Sequence, residues 1–218
     1  MDALSIITLA MGAAWASGIN LYATVLLVGL LGSTGLVPLP DGLSPLTSPI
    51  VLIVAGIAYF TEFFADKIPG VGSLWDAVHT FIRIPAGALL AGGAATGLSE
   101  GYMVALALFG GAAVAAGSHA TKSGSRALIN TSPEPVSNWA ASIFEDILVV
   151  GGLLLAMFKP ELFFVFVLLF FLAAIWLLPQ IWRGLRSLFR RFSGKAETKA
   201  LPETERGFKL APLDRNSE

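Results

Sequence analysis

The feature that most constrains this chain is a series of long apolar segments separated by short polar connectors. The clearest segment, residues 162–181, has no charged side chain and is rich in Phe and Leu. It matches the ~20 apolar residues that an α-helix needs to cross a bilayer. Similar segments lie at residues 3–37, 49–65, 81–97, 102–116 and 135–158, and residues 68–80 are predicted to be a connector. The pattern predicts an all-α fold, a polytopic transmembrane helical bundle.

The composition supports lipid as the main solvent of this bundle. Only 13% of the residues are charged and the mean hydropathy is +0.75, whereas a soluble domain has about a quarter charged residues. The chain has no cysteine, which excludes disulfides and thiolate chemistry. It also has no phosphate loop, zinc motif or nucleophile elbow. We therefore expect no enzyme activity, no catalytic residue, no cofactor, no metal and no nucleic-acid partner.

The charges are distributed unequally along the chain. Residues 1–180 contain five basic and ten acidic side chains, and residues 181–218 contain nine basic and five acidic ones. Because Lys and Arg favour the cytoplasmic side of a membrane, the C-terminus is predicted to be cytoplasmic. Residues 182–192 form a basic amphipathic segment, either a topology signal or an anionic-lipid contact. Residues 193–218 are predicted to be a disordered tail.

The first apolar stretch, residues 3–37, is too long for a single membrane span. As one helix it would be about 50 Å long, whereas the hydrocarbon core is only ~30 Å thick. Residues 17–20, Ser-Gly-Ile-Asn, interrupt it near the middle. We expect two short helices joined near Gly18, a hairpin that enters the membrane and returns. The alternative is one long, tilted helix followed by a loop.

An internal duplication accompanies this break. Residues 12–18 match residues 111–117 at five of seven positions, and Thr-Ser-Pro at 47–49 recurs at 131–133. An acid, Glu62 or Asp146, stands thirteen residues after the proline of each copy. The pattern predicts two repeats, residues 3–98 and 101–181. Each would be a broken, re-entrant hairpin followed by membrane helices, and whether the copies are parallel or inverted stays open.

Polar residues near the two breaks are the candidates for binding a substrate. Lys122 and Arg126 are four apart, so they share a face of a helix. A helix that began at an apex near Gly117 would point its positive end inward. The predicted anion site takes a phosphate, a carboxylate or a lipid head group. The alternative is an ordinary cytoplasmic loop. The predicted substrate-binding residues are Asn20, Tyr22, Lys122, Arg126 and Asn138.

Acidic residues within the apolar segments are the candidates for coupling. Ionisable groups inside a bilayer cost a few kcal/mol each, so they persist when paired or when they line a wet cavity. The functional interpretation is proton or cation coupling, and the alternative is structural pairing within the bundle. The predicted coupling residues are Glu62, Asp66, Glu145 and Asp146.

Three sequence stretches resemble an uncharacterised family of bacterial membrane proteins, domain of unknown function 4126. They are residues 16–22 (ASGINLY), 63–69 (FFADKIP) and 130–138 (NTSPEPVSN), with Glu145 and Asp146 after the last. The resemblance covers the chain to about residue 160. It implies a multi-pass protein of the bacterial inner membrane and names no activity. The paired hairpins are also similar in layout, though not in motif, to small carriers of polyprenyl-phosphate lipids.

Three functional hypotheses follow from these observations. The first is a small transporter or lipid translocase that binds an anion between the hairpins and uses the acids for proton coupling. The second is a cation channel or exchanger in which the acids are the ligands. The third is a scaffold, which would have no wet cavity. The expected partners are membrane lipids, including anionic head groups. The small residues in 86–97 and 110–117 permit close helix packing within one chain or in an oligomer.

Overall fold

The computed structural model describes residues 1–68, 71–98, 100–129 and 135–200, and the regular elements in them are all helical. The helices are α1 (Ala3–Ser33), α2 (Pro49–Ala65), α3 (Val71–Ala95), α4 (Gly101–Ile129), α5 (Pro135–Phe158) and α6 (Pro160–Ala200), with a short 3₁₀ helix at Asp41–Thr47 before α2. Helices α1, α4, α5 and α6 are long and apolar enough to cross a membrane. The 3₁₀ helix and α2 are bent by 69° and together are a fifth candidate.

Local sequence signals explain several helix ends. Asp2 caps α1, because its side chain accepts a hydrogen bond from the Ser5 N–H at 3.0 Å. Gly35 follows α1 with a φ of 72°, a conformation that favours glycine. Pro49 begins α2, where its missing N–H is not needed by the helix. The boundaries predicted for α2, residues 49–65, and for α5, residues 135–158, are confirmed.

Helix α1 is interrupted at Asn20, two residues after the predicted position. Asn20 has φ −145° and ψ 97°, values outside the helical range. Its side-chain Oδ1 accepts a hydrogen bond from the Ala23 N–H at 2.9 Å. This is N-cap geometry, so Asn20 starts a new helix within α1. We call residues 3–19 the first arm and residues 21–33 the second arm.

Contacts at the far ends of the two arms show that α1 is folded back. Gly97 packs against both Ile6 and Pro40, and Gly32 packs against Leu39. These contacts hold Ile6 and Gly32 within about 25 Å, whereas an unbroken helix would separate them by about 39 Å at ~1.5 Å per residue. The bend at Asn20 therefore exceeds a right angle.

Two expectations about the rest of the chain are wrong. Residues 68–80 were expected to be a connector, but α3 is helical from Val71, directly after the helix breakers Pro69 and Gly70. Residues 117–126 were expected to be a hairpin return or a loop, but α4 continues through them. Ser118, Thr121 and Ser125 in this stretch donate to carbonyls three or four residues back.

The predicted two-repeat arrangement is not confirmed. Helix α1 is broken at Asn20, whereas α4, which carries the matching residues 111–117, is continuous. The second Thr-Ser-Pro, at 131–133, lies outside the described residues. Helix α6 runs to Ala200, past the predicted start of the tail at residue 193, and residues 201–218 lie outside the described part of the chain.

The first arm of α1 is the centre of the bundle. Leu9, Ala13, Ala14, Trp15 and Ala16 are all fully buried, and together they cover every side of the arm. Small residues allow α3 and α4 to approach closely, since Gly87 packs against Ala115. On the other side Trp15 makes edge-on contacts with Phe166 and Phe170 of α6. The arm therefore ends, at Asn20, inside the protein.

Candidate functional site

The break in α1 leaves backbone carbonyls at the end of the first arm without helical partners. Two side chains of α4 satisfy them. Lys122 Nζ donates to the Ile19 carbonyl at 2.9 Å. His119 Nδ1 lies 3.2 Å from the Gly18 carbonyl, so this nitrogen carries the proton and donates. A helix C-terminus carries partial negative charge, so the break attracts cationic side chains.

Lys122 is the centre of a buried network that we call the charge cluster. Its Nζ donates to Glu62 Oε1 at 3.1 Å and to Asp66 Oδ2 at 3.2 Å. It also lies 3.5 Å from carboxylate oxygens of both Asp76 and Glu145. The cluster consists of seven residues from four elements: Glu62, Asp66, Asp76, Arg83, Lys122, Arg126 and Glu145.

Two arginines complete the cluster on either side of Lys122. Arg83, from α3, donates to Glu62 Oε1 at 2.7 Å and to Asp76 Oδ1 at 2.8 Å. Arg126, one helical turn after Lys122, makes a two-pronged bond to Glu145, with both N–O distances at 2.8 Å. Bidentate pairing of this kind is among the strongest hydrogen-bonded arrangements in proteins.

The cluster is almost fully shielded, and its charges do not balance. Its three cations face four carboxylates, which leaves a formal charge of −1. The side chains of Glu62 and Arg83 are 0% exposed, and that of Lys122 is 2% exposed. Oxygens of Glu62, Asp66 and Asp76 have no hydrogen-bond partner among the described residues. These spare acceptors can take a proton or a further donor.

Asp146 belongs to a neighbouring group and not to the charge cluster. It accepts from Asn20 Nδ2 at 3.1 Å and from the Tyr59 hydroxyl at 3.3 Å. Asn20 therefore has two roles, capping the second arm of α1 and tying the break to α5. The Tyr22 hydroxyl lies 3.0 Å from Nε2 of His79, which is a member of neither group.

The structure brings most of the sequence-predicted site residues together. Lys122, Arg126, Glu62, Asp66 and Glu145 are all members of the charge cluster, and Asn20 and Asp146 adjoin it. The carbonyl of Asn138 accepts a hydrogen bond from Arg126 at 3.3 Å, and its buried Nδ2 has no partner among the described residues. Lys122 and Arg126 are buried and paired, so the alternative of an exposed loop is wrong.

Sequence analysis missed Asp76, Arg83 and His119. Asp76 and Arg83 are seven residues apart, which places them on one face of a helix, but the sequence alone predicts a connector over residues 68–80. His119 is three residues before Lys122, so it also shares the face of α4 that meets α1. The signal in both cases was helical spacing, and it becomes visible once α3 and α4 are known to be continuous.

A cavity of about 490 Å³ opens beside the cluster, between α4, α5 and α6. Lys122 and Glu145 are part of its wall. The Glu145 side chain is 12% exposed, the largest value among the paired side chains of the cluster. Glu145 is therefore the member of the cluster through which a molecule in the cavity would make contact.

These features define a class: a polytopic helical membrane protein with a buried charge cluster at a break in a central helix. A family profile described as Domain of unknown function (DUF4126) matches residues 7–180. The chain belongs to that family. Neither the curated proteins nor the solved structures contain a match to this chain.

Proposed function

We propose that the protein is a proton-coupled membrane transporter of an anionic substrate, with the exchange site at Lys122, Arg126 and Glu145. The observation that carries the proposal is the position of Glu145. Glu145 lies in the wall of the cavity and forms an ion pair with Arg126. Its Oε2 is 3.5 Å from Lys122 Nζ. A carboxylate in this position occupies the place that an anionic substrate would take.

The chemistry is an exchange of one anion for another. When Glu145 takes up a proton, it loses its charge and its bidentate bond to Arg126 weakens. The N–H groups of Arg126 that pointed at Glu145 are then available to a phosphate or carboxylate that enters the cavity, beside the Lys122 ammonium group, which stays paired with Glu62 and Asp66. Because unpaired charges are costly inside a membrane, protonation and anion binding favour one another. Substrate and proton therefore travel together.

The broken helix supports this proposal. Transporters often place their sites at discontinuous helices, whose ends carry partial charges and unpaired backbone groups. Here the carbonyls of Gly18 and Ile19 meet the cationic side of α4, and the Asn20-capped start of the second arm meets Asp146. In this proposal the two arms of α1 form a re-entrant hairpin in the bacterial inner membrane, with the C-terminus in the cytoplasm.

The cation-exchanger hypothesis has less support. Three of its four acids, Glu62, Asp66 and Glu145, are each paired with a cation of the chain itself. The fourth, Asp146, accepts from Asn20 and Tyr59. Within the described residues, acidic and histidine side chains do not form a group of three that would hold a metal ion. The scaffold hypothesis predicts a bundle without a wet cavity, and it gives no role to Lys122 and Glu145 in the wall of the largely apolar cavity.

The test measures proton uptake during anion binding. Purified protein in a weakly buffered solution would receive inorganic phosphate or octyl phosphate, and a pH indicator would report the protons taken up. The proposal predicts uptake by the unmodified protein. Glu145→Gln, which is permanently neutral, should bind the anion without taking up a proton.

Glu161→Gln is the matched control, because Glu161 is exposed in the first turn of α6 and far from the cluster. It should behave like the unmodified protein. Anion binding without proton uptake in the unmodified protein would overturn the proposal. Equal uptake in Glu145→Gln would also overturn it.

A further inference from the structure

The cavity beside the charge cluster has one polar wall and two apolar walls. The polar wall belongs to α4, where Ser118, Thr121, Lys122 and Ser125 recur at helical spacing on one face, followed by the apolar Ile129. The opposite walls, on α5 and α6, are apolar apart from Glu145. They include Phe144, Leu148, Phe166, Leu169 and Phe170. A cavity for a small hydrated anion would be polar on every side, and a plain crevice between lipid-facing helices would be apolar on every side.

The polar and apolar parts are also separated along the bundle axis. Helices α4 and α6 run side by side, since Gly117 packs against Phe171 and Gly124 against Ile181. From this register, Phe166 lies about 10 Å below Ser118, at ~1.5 Å per residue. The polar residues therefore occupy the end of the cavity nearer the arginines of α6, and the Phe-rich part extends toward the opposite end.

The apolar part continues beyond this cavity. A second cavity, of about 500 Å³, lies between α5 and α6 and shares Leu148 and Phe166 with the first. It ends at Phe158 and Lys159. From Ala141 to Phe158 the two cavities follow α5 for about 26 Å, most of the ~30 Å thickness of a hydrocarbon core. We call the two cavities together the lateral groove.

We infer that the lateral groove binds a lipid with an anionic head group and one long hydrocarbon chain. This inference rests on the proposed function and names its substrate class. The head group would lie at Lys122 and Arg126, displacing Glu145, with the hydroxyls of Ser118, Thr121 and Ser125 beside it. The chain would lie along Leu148 and Phe166 in the apolar part. The two cations at one end, whose partner Glu145 the head group would replace, and the length of the apolar part are the two features that select this occupant.

Two experiments test the inference. One varies the length of the hydrocarbon chain of the probe, and the other fills the groove with a bulky side chain. The probes are inorganic phosphate, octyl phosphate and octadecyl phosphate, and binding to the purified protein would be measured in detergent by native mass spectrometry. Octadecyl phosphate should bind at least about tenfold more tightly than octyl phosphate, because the added methylenes are buried in the apolar part. A fluorescent octadecyl phosphate in liposomes of phosphatidylcholine would then report movement between leaflets.

Ala173→Trp, in the α6 wall, should weaken octadecyl phosphate binding by about tenfold or more and leave inorganic phosphate binding unchanged. Ala141→Phe, in the α5 wall, should have the same effect. A second variant keeps the test valid if the first one fails to fold. Ala140→Trp is the matched control, since Ala140 is exposed on α5 outside the groove. Each variant would first be checked for a single monodisperse species by gel filtration.

The outcomes separate this inference from the proposed function. If phosphate binds with proton uptake but chain length and Ala173→Trp have no effect, the lipid inference is wrong and the proposed function stands. If Ala140→Trp weakens binding as much as Ala173→Trp does, the chain is bound by the general lipid-facing surface, and the inference is also wrong. If none of the three probes binds, both the lipid inference and the proposed function are wrong.

Discussion

At the scale of single residues, Glu62 has the least tolerance for change. It is fully buried and accepts from Arg83 at 2.7 Å and from Lys122 at 3.1 Å. Glu62→Gln would replace two charge-assisted bonds by bonds to a neutral amide, and leave Arg83 with Asp76 and Lys122 with Asp66 as charged partners. Breaking a buried ion pair from one side costs about 3–5 kcal/mol. We expect a large fall in the melting temperature of the purified protein, measured by a thermal-shift assay in detergent.

A second substitution tests whether charge is the reason. Lys122→Met removes the cation that Glu62, Asp66 and the Ile19 carbonyl share, so it should lower the melting temperature at least as much as Glu62→Gln does. Glu100→Gln is the control, because Glu100 is exposed. If Glu62→Gln melts like Glu100→Gln, the pairing at Glu62 contributes nothing to stability.

Gly18 is the second sensitive residue, for steric reasons. A Cβ at this position would overlap the Ser118 hydroxyl and the Ala115 carbonyl, and the latter is backbone and cannot move aside. Overpacking of this kind costs about 1–3 kcal/mol. Gly18→Ala should lower the melting temperature and displace α4 from the break.

Gly56→Ala provides the matched control for Gly18→Ala. Gly56 lies within α2 with open space around it, so the substitution should be neutral or stabilise the helix by about 0.5–1 kcal/mol. Equal melting temperatures for the two variants would show that α1 and α4 do not approach closely at Gly18.

At the scale of elements, α1 gives the sharpest prediction. Spin labels on Ser5→Cys and Ser33→Cys, in a chain without native cysteine, should be separated by much less than the ~42 Å of an unbroken helix. Double electron–electron resonance measures this distance directly. The pair Tyr102→Cys and Ile129→Cys, on the unbroken α4, should give about 40 Å by the same measurement.

A separation near 42 Å for the α1 pair would mean that the two arms are collinear. The charge cluster would then lose the backbone carbonyls that Lys122 and His119 satisfy. The rest of the site, from α3 to α5, would have to be reassigned.

The sequence predicted the helical class, the boundaries of α2 and α5, and the break in α1, because hydrophobic runs and residues such as Asn20 act locally. It did not predict that α3 begins at Val71 or that α4 passes through residues 117–126. There the local composition favours a loop, and packing against the first arm of α1 decides otherwise. Tertiary packing also explains why the site was only partly predictable from the sequence. Acids in apolar segments were recognisable, but the partners of Glu62 are set by tertiary contacts with α3 and α4.

At the scale of the whole molecule, the two ends of the bundle differ in charge. The end that contains residues 34–48 and 96–100 carries Asp41 and Glu100, whereas the other end carries Arg183 and Arg186 of α6. A single cysteine at Ser44 should therefore react with an impermeant thiol reagent from outside the cell, and one at Arg186 only from the cytoplasmic side. Inside-out vesicles should reverse the two results. Labelling of both positions from one side would contradict the topology.

The charge cluster also has a consequence for how the chain enters a membrane during synthesis. Each helix that contributes to it would be costly to insert alone, because it carries an ionisable group in an apolar stretch. The order along the chain is Glu62 in α2, then Asp76 and Arg83 in α3, then Lys122 and Arg126 in α4, then Glu145 in α5. Each new helix brings a charge that an earlier helix leaves unmatched. We therefore expect insertion to be cooperative between successive helices, and truncation after α3 should leave a fragment that the insertion machinery holds or degrades.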